Sequence, residues 1–203
     1  LKKHWGKSVN PQRQQAPHAH AIAFDKECRF LLVSDLGLDK IMIYRFDEKH
    51  GALTINVPPS FDLEPGAGPR HLTFSLCGRF TYVLNELDNT VSVLEYDAGA
   101  GSFDALQVVK TLPDGIVGDN TTAAIRFHPS GQFLYCSNRG HDSIALFRVE
   151  KETGSISSIG HVKTHGAIPR DFNITPDGRF LIVANQTSNN IVVFSINTEN
   201  GAL

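Results

Sequence analysis

The chain repeats itself at intervals of about fifty residues, and this restricts its fold more than any other feature. Phe30, Phe80, Phe133 and Phe180 stand 50, 53 and 47 residues apart. Six residues before each comes an apolar side chain (Phe24, Phe74, Phe127, Ile174), and five after each comes Asp35, Asn85, Asn138 or Asn185. Eleven after come Ile41, Val91, Ile144 and Ile191; twenty-one after come Gly51, Gly101, Gly154 and Gly201. Three of the phenylalanines follow a glycine turn: Cys77-Gly78-Arg79, Ser130-Gly131-Gln132 and Asp177-Gly178-Arg179.

Within each repeat the apolar runs have strand length and are rich in β-branched and aromatic residues, as in Phe30–Ser34, Ile41–Phe46, Phe80–Leu84 and Val91–Tyr96. A fourth run follows the glycine in Leu53–Val57, Phe103–Val109 and Ile156–Val162. No segment shows helical periodicity. Four strands per repeat of this length predict an all-β fold, a β-propeller of four-stranded antiparallel blades. A sandwich with accidental periodicity is the alternative, and columns that hold from the first strand to the glycine speak against it. The reading is one propeller domain over residues 1–203, with repeats near 18–60, 68–115, 120–165 and 168–203. The four phenylalanines are expected in blade cores. Gly201-Ala202-Leu203 stands at the same phase as Gly51-Ala52-Leu53, so the chain reads as about four blades of a longer propeller.

Composition narrows the partners. Lys and Arg total 19 and Asp and Glu 21, a net charge of −2, which argues against a polybasic nucleic-acid binder or a membrane-surface protein. No apolar run approaches the roughly 18 residues of a membrane span. Cys28, Cys77 and Cys136 are odd in number and lack metal-type spacing, which points to a reduced, cytoplasmic compartment.

Propeller geometry itself predicts a site. The first strand of a blade lies nearest the channel and the second runs antiparallel to it, so the start of one and the end of the other share a rim. Ten residues before each phenylalanine stand His20, Arg70, Ala123 and Arg170; at the second strand's end stand Asp35, Asn85 with Glu86, Asn138 with Arg139, and Asn185 with Gln186. The Asp/Asn column recurs in every copy and is read as structural. Glu86 occupies a column filled elsewhere by Leu36, Arg139 and Gln186, so the repeat does not demand its charge. His20 and Glu86 are therefore the candidate catalytic acid–base residues. Arg70, His71, Arg139, Arg170 and Gln186 are candidates for binding an anion, although His71 could equally be a packed histidine beside Arg70. His18, His20 and His71 reach only the minimum for a catalytic zinc, so no transition metal is expected; a calcium ion at Glu86 with Asn85, Asn138 or Asn185 stays open. Gly6-Lys7-Ser8 lacks the first glycine of a phosphate loop, since Leu1 stands in its place.

Several motifs together resemble the lactonase family of seven-bladed propellers, which includes 6-phosphogluconolactonases and has the fungal carboxy-cis,cis-muconate cyclases as relatives. They are Pro17-His18-Ala19-His20, Gly66-Ala67-Gly68-Pro69-Arg70-His71, Asn85-Glu86-Leu87, His128-Pro129-Ser130-Gly131 with Ser137-Asn138-Arg139-Gly140, and Ile168-Pro169-Arg170-Asp171-Phe172 with Ala184-Asn185-Gln186. The resemblance implies seven blades in the full-length protein and hydrolysis of a sugar lactone, foremost 6-phosphogluconolactone to 6-phosphogluconate. It implies a small anionic substrate and no cofactor. A muconate lactonising cyclase and a non-catalytic scaffold that binds a partner on its rim are the alternatives; the oligomeric state is not legible. Two positions depart from the pattern: Asp171 where a neutral residue such as Asn is expected, and Ser75-Leu76-Cys77-Gly78, which lacks the proline of other copies.

Overall fold

The runs that begin at the four phenylalanines form the second strands of four separate sheets in a computed structural model, which describes residues 1–116 and 118–203. The first sheet comprises β1 (Ala19–Phe24), β2 (Phe30–Asp35), β3 (Lys40–Asp47) and β4 (Ala52–Asp62). The second comprises β5 (Pro69–Phe74), β6 (Phe80–Asn85), β7 (Thr90–Asp97) and β8 (Ser102–Lys110). The third comprises β9 (Thr121–Phe127), β10 (Phe133–Arg139), β11 (Ser143–Val149) and β12 (Ile156–Lys163), and the fourth β13 (Pro169–Ile174), β14 (Phe180–Asn185) and β15 (Asn190–Ser195). Each is an antiparallel meander in chain order, and no helix occurs among the described residues. The first strands pack side by side, β1 on β5, β5 on β9 and β9 on β13, so they form the inner edge of an arc of blades.

The core lies between blades. Phe30, Leu32, Ile41 and Ile43 meet Val83, Leu94, Tyr96 and Phe103 across the first interface. Phe80, Tyr82 and Leu84 meet Ile125, Leu134 and Phe147 across the second. Phe133, Tyr135 and Ile144 meet Phe172, Leu181 and Val183 across the third. Strands with a sheet on each side are buried on both faces, which is why β6 and β10 read as continuous apolar runs rather than alternating ones.

The glycine column locks neighbouring blades. A Cβ added at Gly101 would sit 2.5 Å from the ring of Phe30; the same distance separates one at Gly154 from Phe80 and one at Gly201 from Phe133. These glycines have φ of +65°, +73° and +79°, so the turn needs both the missing side chain and the left-handed backbone. Each glycine turn thus closes over the phenylalanine of the blade before it, and Tyr82 Oη and Tyr135 Oη donate to the carbonyls of Gly154 and Gly201 at 2.8 and 2.9 Å.

This arrangement corrects one expectation. Phe30, Phe80 and Phe133 are buried, but Phe180 is 37% exposed. Among the described residues no glycine turn lies over Phe180, and β14 therefore alternates between buried and exposed residues.

Candidate active site

The register of the strands brings the predicted rim together. Ala19 pairs with Asp35, Pro69 with Asn85 and Pro169 with Asn185. In all three sheets the register then slips by one, between Ala19 and Ala21, Pro69 and His71, and Pro169 and Asp171. His20, Arg70 and Arg170 are thus the extra residues of three equivalent β-bulges, a device that takes a side chain out of strand alternation and re-aims it. The third sheet slips at the corresponding place and carries Ala123 there. Arg70 lies across that alanine, its Nη1 donating to the Ala123 carbonyl.

Glu86 is the hub. Its backbone N–H donates to the Gly68 carbonyl at 2.7 Å, which fixes it beside the start of β5. Its buried carboxylate accepts from Arg13 Nη2 at 2.5 Å, from Arg70 Nε at 3.0 Å and lies 3.0 Å from Arg139 Nη2. Burial alone would raise the Glu86 pKa; the Arg13 hydrogen bond and the charges of Arg139, Arg13 and Arg70 outweigh it and lower the pKa. One carboxylate cannot serve three guanidiniums equally. Burial and the repulsion of Arg139 bring Arg70 down to about 10, and burial lowers Arg139 too. Arg139 Nη2 also donates to the Thr122 carbonyl at 2.7 Å.

Two histidines stand beside this hub. The rings of His20 and His71 meet edge to face at 5.7 Å. Burial, then the charges of Arg70 and Arg126, bring His71 down to about 3. Its Nε2 lies 3.0 Å from Arg70 Nη1 and accepts from it, which leaves the ring proton on Nδ1. His20 is exposed at the rim, and its pKa is lowered by desolvation and then by the charge of Arg70.

An open cleft of about 440 Å³ extends from Arg70 and His71 to Arg170, Asp171, Asn185 and Gln186. Arg170 and Gln186 are exposed, with 3.4 Å between Nη1 and Oε1. Asp171, the departure from the family pattern, accepts from Arg126 Nη2 at 3.1 Å.

All seven predicted site residues therefore lie on one rim, but their environments separate them. The notion of Glu86 as a free base does not fit its surroundings, because both carboxylate oxygens are engaged by cations. The same surroundings do not suit calcium, since three guanidiniums already crowd the carboxylate. Among the described residues no group of three or more His, Cys, Asp or Glu could hold a metal ion, so His18, His20 and His71 do not form one. The Asp/Asn column is buried and bonded within the fold: Asp35 accepts from His18 N–H at 2.7 Å, and Asn138 donates to the Thr111 carbonyl at 2.8 Å. Sequence reasoning missed Arg13 and Arg126. Arg13 lies in the arm before the first repeat, so no column could flag it. Arg126 stands where the other repeats carry Ala23, Thr73 and Asn173, and that contrast could have found it.

A propeller with a charged, non-repeating rim defines the class, and comparison with known proteins defines the family. The family model described as "Lactonase, 7-bladed beta-propeller" matches residues 1–203, and the chain belongs to that family. It is 41% identical over 173 residues to a 6-phosphogluconolactonase of Bacillus subtilis, a match covering 85% of this chain and 48% of that protein. A solved structure from Lactobacillus plantarum superposes with a TM-score of 0.94 at 35% identity, over 100% of this chain and 57% of the other. A periplasmic gluconolactonase of Pseudomonas aeruginosa superposes with a TM-score of 0.92 at 32% identity, over 98% of this chain and 56% of the other. The chain thus spans about half the length of these relatives, at 48% of the first.

Proposed function

We propose that the whole protein hydrolyses a sugar lactone, with 6-phosphogluconolactone as its substrate and 6-phosphogluconate as its product. The observation that carries this reading is the rim itself, where an exposed histidine with a lowered pKa stands beside three guanidiniums gathered around one buried carboxylate, with Arg170 across the cleft. The 6-phosphogluconolactonase and gluconolactonase among its relatives support the same chemistry.

In this reading neutral His20 takes a proton from water as the water oxygen attacks the lactone carbonyl carbon. Negative charge collects on the carbonyl oxygen, and the guanidinium field of Arg70 and Arg170 stabilises it. The ring C–O bond then breaks, and the proton held by His20 passes to the departing ring oxygen. Glu86 holds Arg70 and Arg139 in place rather than accepting the proton. His71, neutral and fixed by Arg70, presents Nδ1–H as a donor to substrate hydroxyls, and Gln186 with Arg170 borders the far side of the cleft. Three unpaired cysteines, two of them exposed, support a cytoplasmic location; among the described residues no helix is long and apolar enough to cross a membrane.

The test is hydrolysis of freshly generated 6-phosphogluconolactone by the full-length protein, with the product followed by coupled oxidation and the spontaneous rate subtracted. Acceleration that disappears in His20→Ala is the expected result. A rate equal to the spontaneous one would leave the rim as a non-catalytic binding surface.

A further inference from the structure

The N-terminal arm brings a third arginine to Glu86, and its placement differs from that of the other two. Arg70 and Arg139 have side chains only 4% and 11% exposed, whereas that of Arg13 is 44% exposed. The buried pair also spend further N–H groups on backbone carbonyls, at Ala123 and Thr122 respectively. Among the arginines that touch Glu86, Arg13 presents the most exposed guanidinium to an incoming anion.

The arm is built to hold it there. Asn10 Oδ1 accepts from the backbone N–H groups of Gln12 and Arg13, both at 3.0 Å. Gln14, fully buried, donates through Nε2 to the Leu36 carbonyl at 2.8 Å and to Asp39 Oδ1 at 2.7 Å. Ser8 Oγ donates to Asp39 Oδ2 at 2.5 Å, and His4 Nδ1 lies 2.5 Å from Asp35 Oδ2. Asp39 also accepts from the N–H groups of Gly66 and Gly68 at 2.7 and 2.6 Å, directly ahead of β5. Arg13 is thus pinned on both sides along the backbone, and its guanidinium crosses to the second blade.

We propose that Arg13 binds the phosphate of a phosphorylated sugar-acid ligand at this rim and sets its preference over the unphosphorylated counterpart. The inference rests on the lactonase reading for the identity of the sugar acid. Arg13, Arg70 and Arg139 share one carboxylate at the hub, a surplus of positive charge that suits a dianion. A partly exposed guanidinium keeps N–H groups free for a bidentate fork onto phosphate oxygens.

The experiment is calorimetric titration of the full-length protein and its Arg13→Ala and Arg13→Lys variants with 6-phosphogluconate and with gluconate. Arg13→Ala should weaken 6-phosphogluconate by roughly 10- to 100-fold, the worth of one charge-assisted hydrogen bond, and gluconate by less than about 3-fold on the same ground. Arg13→Lys should recover part of the loss, since charge returns without the fork. If Arg13→Ala does not fold, the Lys variant reads the same contrast at smaller amplitude. Equal losses for both ligands would show that Arg13 acts only through Glu86 and overturn the proposal. So would unchanged affinities accompanied by a lowered melting temperature, or a wild-type protein that binds neither ligand. Binding at equilibrium needs no turnover: wild-type protein that discriminates through Arg13 yet leaves the lactone intact would sink the hydrolase reading and keep this one.

Discussion

Replacing Glu86 by Gln tests whether the arginine cluster is organised around one charge. The substitution keeps shape and one acceptor oxygen but leaves Arg70 and Arg139 buried without a counter-charge, while half-exposed Arg13 can turn to solvent. Removing one partner from a buried ion pair typically destabilises by about 3–5 kcal/mol, and the two shielded arginines place Glu86→Gln in that range. Domains are stable by only about 5–15 kcal/mol, so Gln is preferable to Ala, which adds a cavity. The pH dependence follows from the lowered Glu86 pKa. A carboxylate with a folded pKa below its unfolded value contributes stability above the unfolded value, about 4.3, and loses it as the pH falls through the folded pKa. The gap between wild type and Glu86→Gln should therefore be full at pH 7 and shrink toward pH 3. Urea denaturation at both pH values, with matching m-values, measures it. A gap below about 1 kcal/mol at pH 7, or one undiminished at pH 3, would refute the reasoning.

Four further outcomes follow from the same structure. His20→Ala should lower kcat by about 10²–10⁴ with little change in stability, because His20 is exposed. The wild-type kcat/KM should fall as the pH drops through a His20 pKa that lies below 6.5; a profile that first rises above pH 8 would rule the base out. Gly154→Ala forces a Cβ at φ +73° to within 2.5 Å of the Phe80 ring, so it should destabilise by about 2–5 kcal/mol in urea, combining the left-handed backbone with overpacking. Residues 1–203 on their own should self-associate in sedimentation, since Ile191 and Val193 on one end and Ile22 and Val57 on the other are exposed; Ile191→Lys with Val193→Lys should reduce the association, and a monodisperse unsubstituted chain would contradict it.

The fold was legible because each blade solves the same packing problem. A phenylalanine that must face a neighbouring blade and a glycine turn that must close over it recur at fixed phase, and the sequence displays both. Burial of Phe180 was not legible, because its repeat phase is identical to that of Phe133 and only the presence of a following blade distinguishes them. At the site, the column logic located the rim: His20, Arg70 and Arg170 occupy one bulge position, and the register slip beside each explains how strand residues leave the sheet. Chemical roles within that rim were less visible. A carboxylate reads the same in sequence whether it is free to accept a proton or saturated by cations, and two of the cations on Glu86 come from outside its own repeat. Arg139 belongs to the next blade, and Arg13 precedes the first. The repeat therefore specifies where side chains gather, while the contacts that set their protonation run across repeats, between residues that no single column aligns.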